Sequence, residues 1–189
     1  MLVARATPNM NLYMLVNHSP ITMYSVSAIQ KSLQDLAPHL PFLHAMTGCK
    51  TTSVLYNQGK RKALNLARSD KTCHSHMQVF ANPVSSHEEV SHAGERFLVS
   101  LYGGGDSDTL DTLRPKYYKR MICRATVSSR FQMASLPLSS TAAQQHSGCL
   151  YKHRIGWEKN YVLLNGVENC RMASWSLYCV KDRRLRLNS

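Results

Sequence analysis

HAMTGCKTTSVLYNQGKRKALNLA, residues His44 to Ala67, decides how this chain is read. A Gly48–Cys49 pair and a run of small hydroxyl residues lead into Asn57-Gln58-Gly59-Lys60-Arg61-Lys62, which opens an Ala/Leu-rich helix. Asn and Gly tolerate the left-handed backbone that a tight turn needs. Such a turn aims successive N–H groups at one point, and the helix behind it adds its positive end. Lys60, Arg61 and Lys62 bring charge to the same place, where a nucleic-acid phosphate fits without reference to base sequence. The spacing taken alone favours the plainer alternative, an ordinary loop before a basic, solvated helix.

On the N-terminal side, Asn11–Val16 and Ile21–Val26 are strand-like and Asn17-His18-Ser19-Pro20 is turn chemistry, predicting a β-hairpin over 11–26. Ser27-Ala28-Ile29-Gln30 reads as a capping box, with Ile29, Leu33 and Leu36 on one helical face until Pro38. A short apolar segment, Leu40 to Met46, leads into the motif, which spans 44–68 and ends in good helix formers from Lys60 to Arg68. Residues 69–87 read as a polar connection. A helical part follows over 86–153. Ser86-His87-Glu88-Glu89 caps a helix with Val90, Ala93, Phe97, Leu98 and Leu101 inward, closed by Gly103-Gly104-Gly105. The next helix starts near Asp108, with Leu110, Leu113, Tyr117 and Met121 inward and Pro115 inside it. Thr141-Ala142-Ala143-Gln144 caps a last helix to about His153. Tyr161–Leu164 reads as a strand, and 154–189 as a divergent basic tail. The expected fold class is α/β, a short hairpin followed mostly by helices.

The 189 residues suffice for one domain. Lys and Arg number 23 against 11 Asp and Glu, a net charge of +12 that predicts a polyanion as partner. No apolar run approaches the roughly 18 residues a membrane span needs, and the start, MLVARATPNM, lacks the pattern of a signal peptide. Six cysteines occur without a CxxC pair and read as reduced thiols. An intracellular location is expected, the nucleus included, with no membrane contact and no cofactor.

Residues 44–67 resemble the helix–two-turn–helix segment of flap-endonuclease-like, PIN-fold nucleases. Gly48 and Cys49 match the Gly-(Cys/Ser)-Asp of that family, Gly59 the second glycine of its Gly-x-Gly turn, and Lys60, Arg61, Ala63 and Leu64 its basic helix start. From Leu2 to about Tyr151 the chain is also similar to a group of multicopy invertebrate proteins. Their hallmarks stand here as LPFLHAMTGCKTTSVLYNQGK, GERFLVSLYGGGDSDTLDTLR and SLPLSSTAAQQHS. This resemblance implies a partial PIN-like domain over 1–153.

Two departures bear on chemistry. Lys50 stands at the family's aspartate position, where a carboxylate would help hold a catalytic divalent ion, and Asn57 replaces the first glycine. An ammonium there repels a metal. Relatives also carry an Asp-x-Asp pair on a strand preceding the residues that match Met1–Val3, and the first 34 residues here hold no Asp or Glu. The chain is therefore expected to be a truncated, non-catalytic member with no catalytic residues. It would hold nucleic-acid backbone at Asn57, Gln58, Gly59, Lys60, Arg61 and Lys62, DNA rather than RNA, with a full-length paralogue as a further partner. The alternative is a degenerate fragment or interaction protein without biochemical activity.

Other constellations are weaker. Asp106, Asp108 and Asp111 fail the EF-hand pattern and read as helix caps by Asp106, Ser107 or Asp108. Cys73, His74, His76, His87 and His92 include zinc-ligand types, but their spacing matches no standard finger. His44 reads as a partly buried, hydrogen-bonded histidine. Tyr117-Tyr118-Lys119-Arg120 mixes aromatic and basic groups that suit a single strand, or a helix face with its aromatics inward.

Overall fold

The computed structural model describes residues 12–16, 20, 22–49, 52–125 and 132–164, excepting the side chains of 124–125 and 153–164. These residues form a two-stranded antiparallel hairpin and, for the most part, helices. They divide into two compact units, one up to Leu40 with the stretch from Tyr161, the other from Pro41 to Asn160.

In the first unit, β1 (Tyr13–Val16) pairs with β2 (Thr22–Ser25), Tyr13 opposite Ser25 and Val16 opposite Thr22. Helix α1 (Val26–Leu33) follows at once. Its cap is Ser25, whose hydroxyl accepts the Ala28 N–H at 3.3 Å, and not the expected Ser27, which instead lies 2.9 Å from the Ser25 hydroxyl. The Val26 N–H donates to the Leu12 carbonyl at 2.9 Å, so the hairpin itself fixes where the helix begins. Leu12 and Val26 are buried, with Met14, Ile29, Leu33 and Leu40 packed against them. The helix was expected to reach Pro38. It ends earlier, where Gln34 adopts φ 47°, and Pro38 sits inside a 3-10 turn, Gln34–His39.

The second unit holds α2 (Leu40–Met46, entered at Pro41), α3 (Lys60–Ser69), α4 (Thr72–Ala81), α5 (His87–Leu101), α6 (Leu110–Ala125), a 3-10 turn (Met133–Ser135) and α7 (Ser140–Leu164, up to Asn160). Its core is an aromatic trio. The Phe42 ring of α2 lies 4.7 Å from Phe80 of α4 and 4.9 Å edge-on from Phe97 of α5, and all three are buried. Offset and edge-on pairs of this kind contribute about 0.5–1.5 kcal/mol beyond the area they bury.

The stretch read as a polar connection contains α4. Cys73, Met77 and Phe80 are buried at helical spacing, while the intervening histidines and serine gave the segment its polar look. Asp70 secures the start, accepting the Thr72 N–H at 2.9 Å and the Thr72 hydroxyl at 2.6 Å. The capping box at α5 is present as read, with Ser86 and Glu89 bonded reciprocally. At the other end of α5, Gly103 (φ 76°) and Gly104 donate to the Ser100 and Val99 carbonyls, which closes the helix in a Schellman arrangement.

Helix α6 is capped by Thr109 rather than by Asp106, Ser107 or Asp108, because Thr109 and Thr112 exchange N–H and hydroxyl bonds at 2.9 and 3.2 Å. Helix α7 begins one residue before the expected Thr141 cap, the Ser139 hydroxyl accepting from Ala142 and Asp111 from the Ser140 N–H. It continues through Tyr161–Leu164, which is helix and not strand. Residues 165–189 of the expected basic tail lie outside the described residues.

Candidate nucleic-acid interface

Helix α2 ends in a set of carbonyls that the next residues meet one by one. The Thr47 hydroxyl donates to Leu43 at 2.7 Å, the Thr52 hydroxyl to Ala45 at 2.7 Å, and the His146 Nε2 lies 3.0 Å from the Met46 carbonyl. A carbonyl can only accept, so His146 carries its proton on Nε2. Two residues past the helix, the Gly48 carbonyl accepts the Lys60 ammonium at 2.9 Å. Thr47 and, from the hydroxyl run, Thr52 thus serve the end of a helix, where free carbonyls require donors. Gly48 takes φ 99°, and the Val54 Cα lies 2.5 Å from where a Cβ would stand.

After the Cys49–Thr52 bridge the chain turns at Asn57, which has the left-handed φ of 55°. Gly59 does not. It is extended at φ −74°, ψ 166°, caps α3 without a side-chain bond, and has nothing within 4 Å of a would-be Cβ. The Lys62 and Ala63 N–H groups turn back to the Gly59 carbonyl. Among the described residues, the N–H groups of Gly59, Lys60 and Arg61 have no acceptor.

The six predicted contact residues separate by role. The Gln58 N–H bonds to Leu55, and its buried side chain accepts the Lys62 ammonium at 2.6 Å. Partial burial lowers the Lys62 pKa. Lys60 holds the Gly48 carbonyl. Arg61 is exposed, and its side chain has no hydrogen-bond partner among the described residues. From Leu36 to Ser69 the sequence contains no Asp or Glu. Lys50 lies outside the described residues. His44, expected to be partly buried and hydrogen-bonded, is exposed, and its ring makes no hydrogen bond among the described residues. Desolvation of the ring, followed by the Lys60 charge, lowers its pKa.

The remaining candidates are structural in their contacts. The Cys73 thiol is buried beside Asp70 and its pKa is pushed up to about 12, chiefly by burial. His74 bonds to the Ala67 carbonyl, and His87 lies 3.5 Å from the Ser91 hydroxyl. With His76 and His92 included, no three His, Cys, Asp or Glu side chains among the described residues are placed to hold a metal ion. Asp108 accepts from Gly105 and Lys116, Asp106 pairs with Arg96, and Asp111 is bonded to the start of α7.

Sequence reasoning missed Glu95. Its Oε1 accepts the Leu110 N–H at 3.2 Å and the Ser140 hydroxyl at 2.6 Å, so one carboxylate of α5 serves the starts of two other helices. Neither partner is near in sequence, and no local pattern could have signalled it. Among the described residues no helix is long and apolar enough to cross a membrane. Comparison with known proteins finds no matching family model, no matching curated protein and no matching solved structure.

Proposed function

We propose that this chain is a non-catalytic nucleic-acid-binding relative of flap-endonuclease-like, PIN-fold proteins, located in the nucleus, and that it holds DNA backbone phosphate at the start of α3. The observation that carries this reading is the open cap at Gly59. Three successive N–H groups without an acceptor among the described residues stand there beside an exposed arginine, in a stretch with no carboxylate. A phosphate is what such a helix start attracts. Lys50, where the nuclease family has an aspartate, supports the non-catalytic half of the proposal.

A second reading has its own observation. Lys60 and Lys62 are already bonded within the protein, which is how a purely structural turn would use them. Arg61→Ala separates the two because it leaves both of those bonds in place. Fluorescence anisotropy of a labelled flap DNA is expected to show weaker binding by the variant. The slope of log affinity on log salt should become shallower by about 0.9, the counterion release of one phosphate contact. Equal affinity and equal slope would leave the turn as structure alone.

A further inference from the structure

Helix α6 carries an exposed aromatic–basic stripe that the α3 turn does not use. Arg114, Pro115 and Tyr118 of this helix, with Met133 and Leu136 of the segment facing it, line an open cleft of about 350 Å³. That is the low end of the range in which proteins hold small ligands, about 300–1,000 Å³. Tyr118 is 44% exposed and Met133 62% exposed. One turn on from Tyr118, Ile122 extends the stripe and is also exposed.

The partner of the cleft is indicated by its charge. Residues Leu110–Ala125 include five basic side chains and a single acid, Asp111, which is bonded to the start of α7. Arg114 spends one nitrogen on the Pro137 carbonyl at 2.7 Å, leaving further guanidinium donors beside the cleft. Lys119 and Arg120 are exposed on the same helix, and the Arg120 guanidinium lies 5.3 Å over the Tyr117 ring. Tyr117 itself faces inward and donates to the Tyr102 carbonyl. The two adjacent tyrosines are therefore divided between packing and surface.

An apolar slot with an aromatic wall, edged by cations, suits an unpaired base whose flanking phosphates are anionic. A base within a duplex is stacked on both faces and cannot enter it. An apolar peptide would fill the slot but would leave the cations without counter-charges. We propose that the cleft between α6 and residues 133–136 takes a base of a single-stranded nucleic acid. In this site Tyr118 is the stacking face, and Arg114 with Lys119 neutralises the adjoining phosphates. The inference rests on the proposed function for its ligand class. Its evidence is a different part of the molecule.

The test measures anisotropy of labelled oligothymidylate and of a duplex of equal length, with the full chain and with Tyr118→Ala, Tyr118→Phe and Arg61→Ala. Tyr118→Ala is expected to weaken oligothymidylate binding on the order of tenfold, the scale of one base–aromatic stack. Duplex binding should be unchanged, and Tyr118→Phe should restore the single-strand affinity. Photo-crosslinking of an iodouracil oligonucleotide should map to the peptide containing Tyr118. Equal single-strand binding by wild type and Tyr118→Ala, or crosslinks confined to other peptides, would overturn the cleft. If Arg61→Ala still weakened the duplex in that case, the phosphate turn would stand without it. Absence of salt-sensitive binding to either nucleic acid would remove both.

Discussion

Gly48 and Gly59 match the same family motif but are held by different physics. At Gly48 a side chain would be forced into a left-handed backbone and against the Val54 Cα, which cannot swing aside. Gly48→Ala is expected to cost about 2–3 kcal/mol, from strain and overpacking together, read as a lower urea midpoint. Gly59 has ordinary dihedrals and open space, so Gly59→Ser should be tolerated. Its hydroxyl can cap α3, and a gain of a few tenths of a kcal/mol is expected. His76 gives a pH dependence. Burial, then the charges of Arg96 and His92, lower its pKa, against the opposing pull of Asp70 and Asp106. The unfolded chain therefore binds this proton more readily, and stability rises with pH and is lost on acidification below about 6.5. Thermal melts at about pH 5 and pH 7 should show a smaller difference in His76→Gln than in wild type.

At the scale of elements, two helix starts in the second unit, those of α6 and α7, receive bonds from a distance as well as local caps. Glu95 reaches from α5 to Leu110 and Ser140, and Asp111 reaches from α6 to the Ser140 N–H. These bonds tie the beginnings of α6 and α7 to other helices, which a local cap cannot do. Glu95→Ala removes two of them and should destabilise the protein by about 2 kcal/mol, measured by denaturant titration. Ser140→Ala, which loses only one, should cost about half as much. Equal effects of the two would mean that Glu95 serves Ser140 and contributes nothing at Leu110. The aromatic trio of Phe42, Phe80 and Phe97 joins α2, α4 and α5 in the same non-local way.

For the molecule as a whole, the net charge of +12 is a cost to compactness. Among the described residues, Arg96–Asp106 and Lys116–Asp108 are ion pairs, while Arg61 has no acidic partner. Screening should relieve the repulsion. Raising sodium chloride from about 0.05 M to 0.5 M, which shortens the Debye length severalfold, is expected to raise the melting temperature. The same salt should weaken nucleic-acid binding. Opposite responses of stability and affinity to one variable would tie both to the unpaired positive charge.

The sequence by itself determined the features that depend on neighbours along the chain. The hairpin, the capping box at Ser86–Glu89, the glycine end of α5 and the helix from Lys60 all follow from local spacing and chemistry. It also located the turn from which α3 opens at Gly59. Tertiary structure decided the rest because distant groups set it. The Leu12 carbonyl starts α1 at Val26, and the pull of Cys73, Met77 and Phe80 into the core makes a helix of a stretch that looks polar. The Gly48 carbonyl and Gln58 claim the ammonium groups of Lys60 and Lys62, so of three exposed cations that look alike in sequence only Arg61 is without a hydrogen-bond partner among the described residues. A charge on a string of letters has no address; the carbonyl or carboxamide opposite it supplies one.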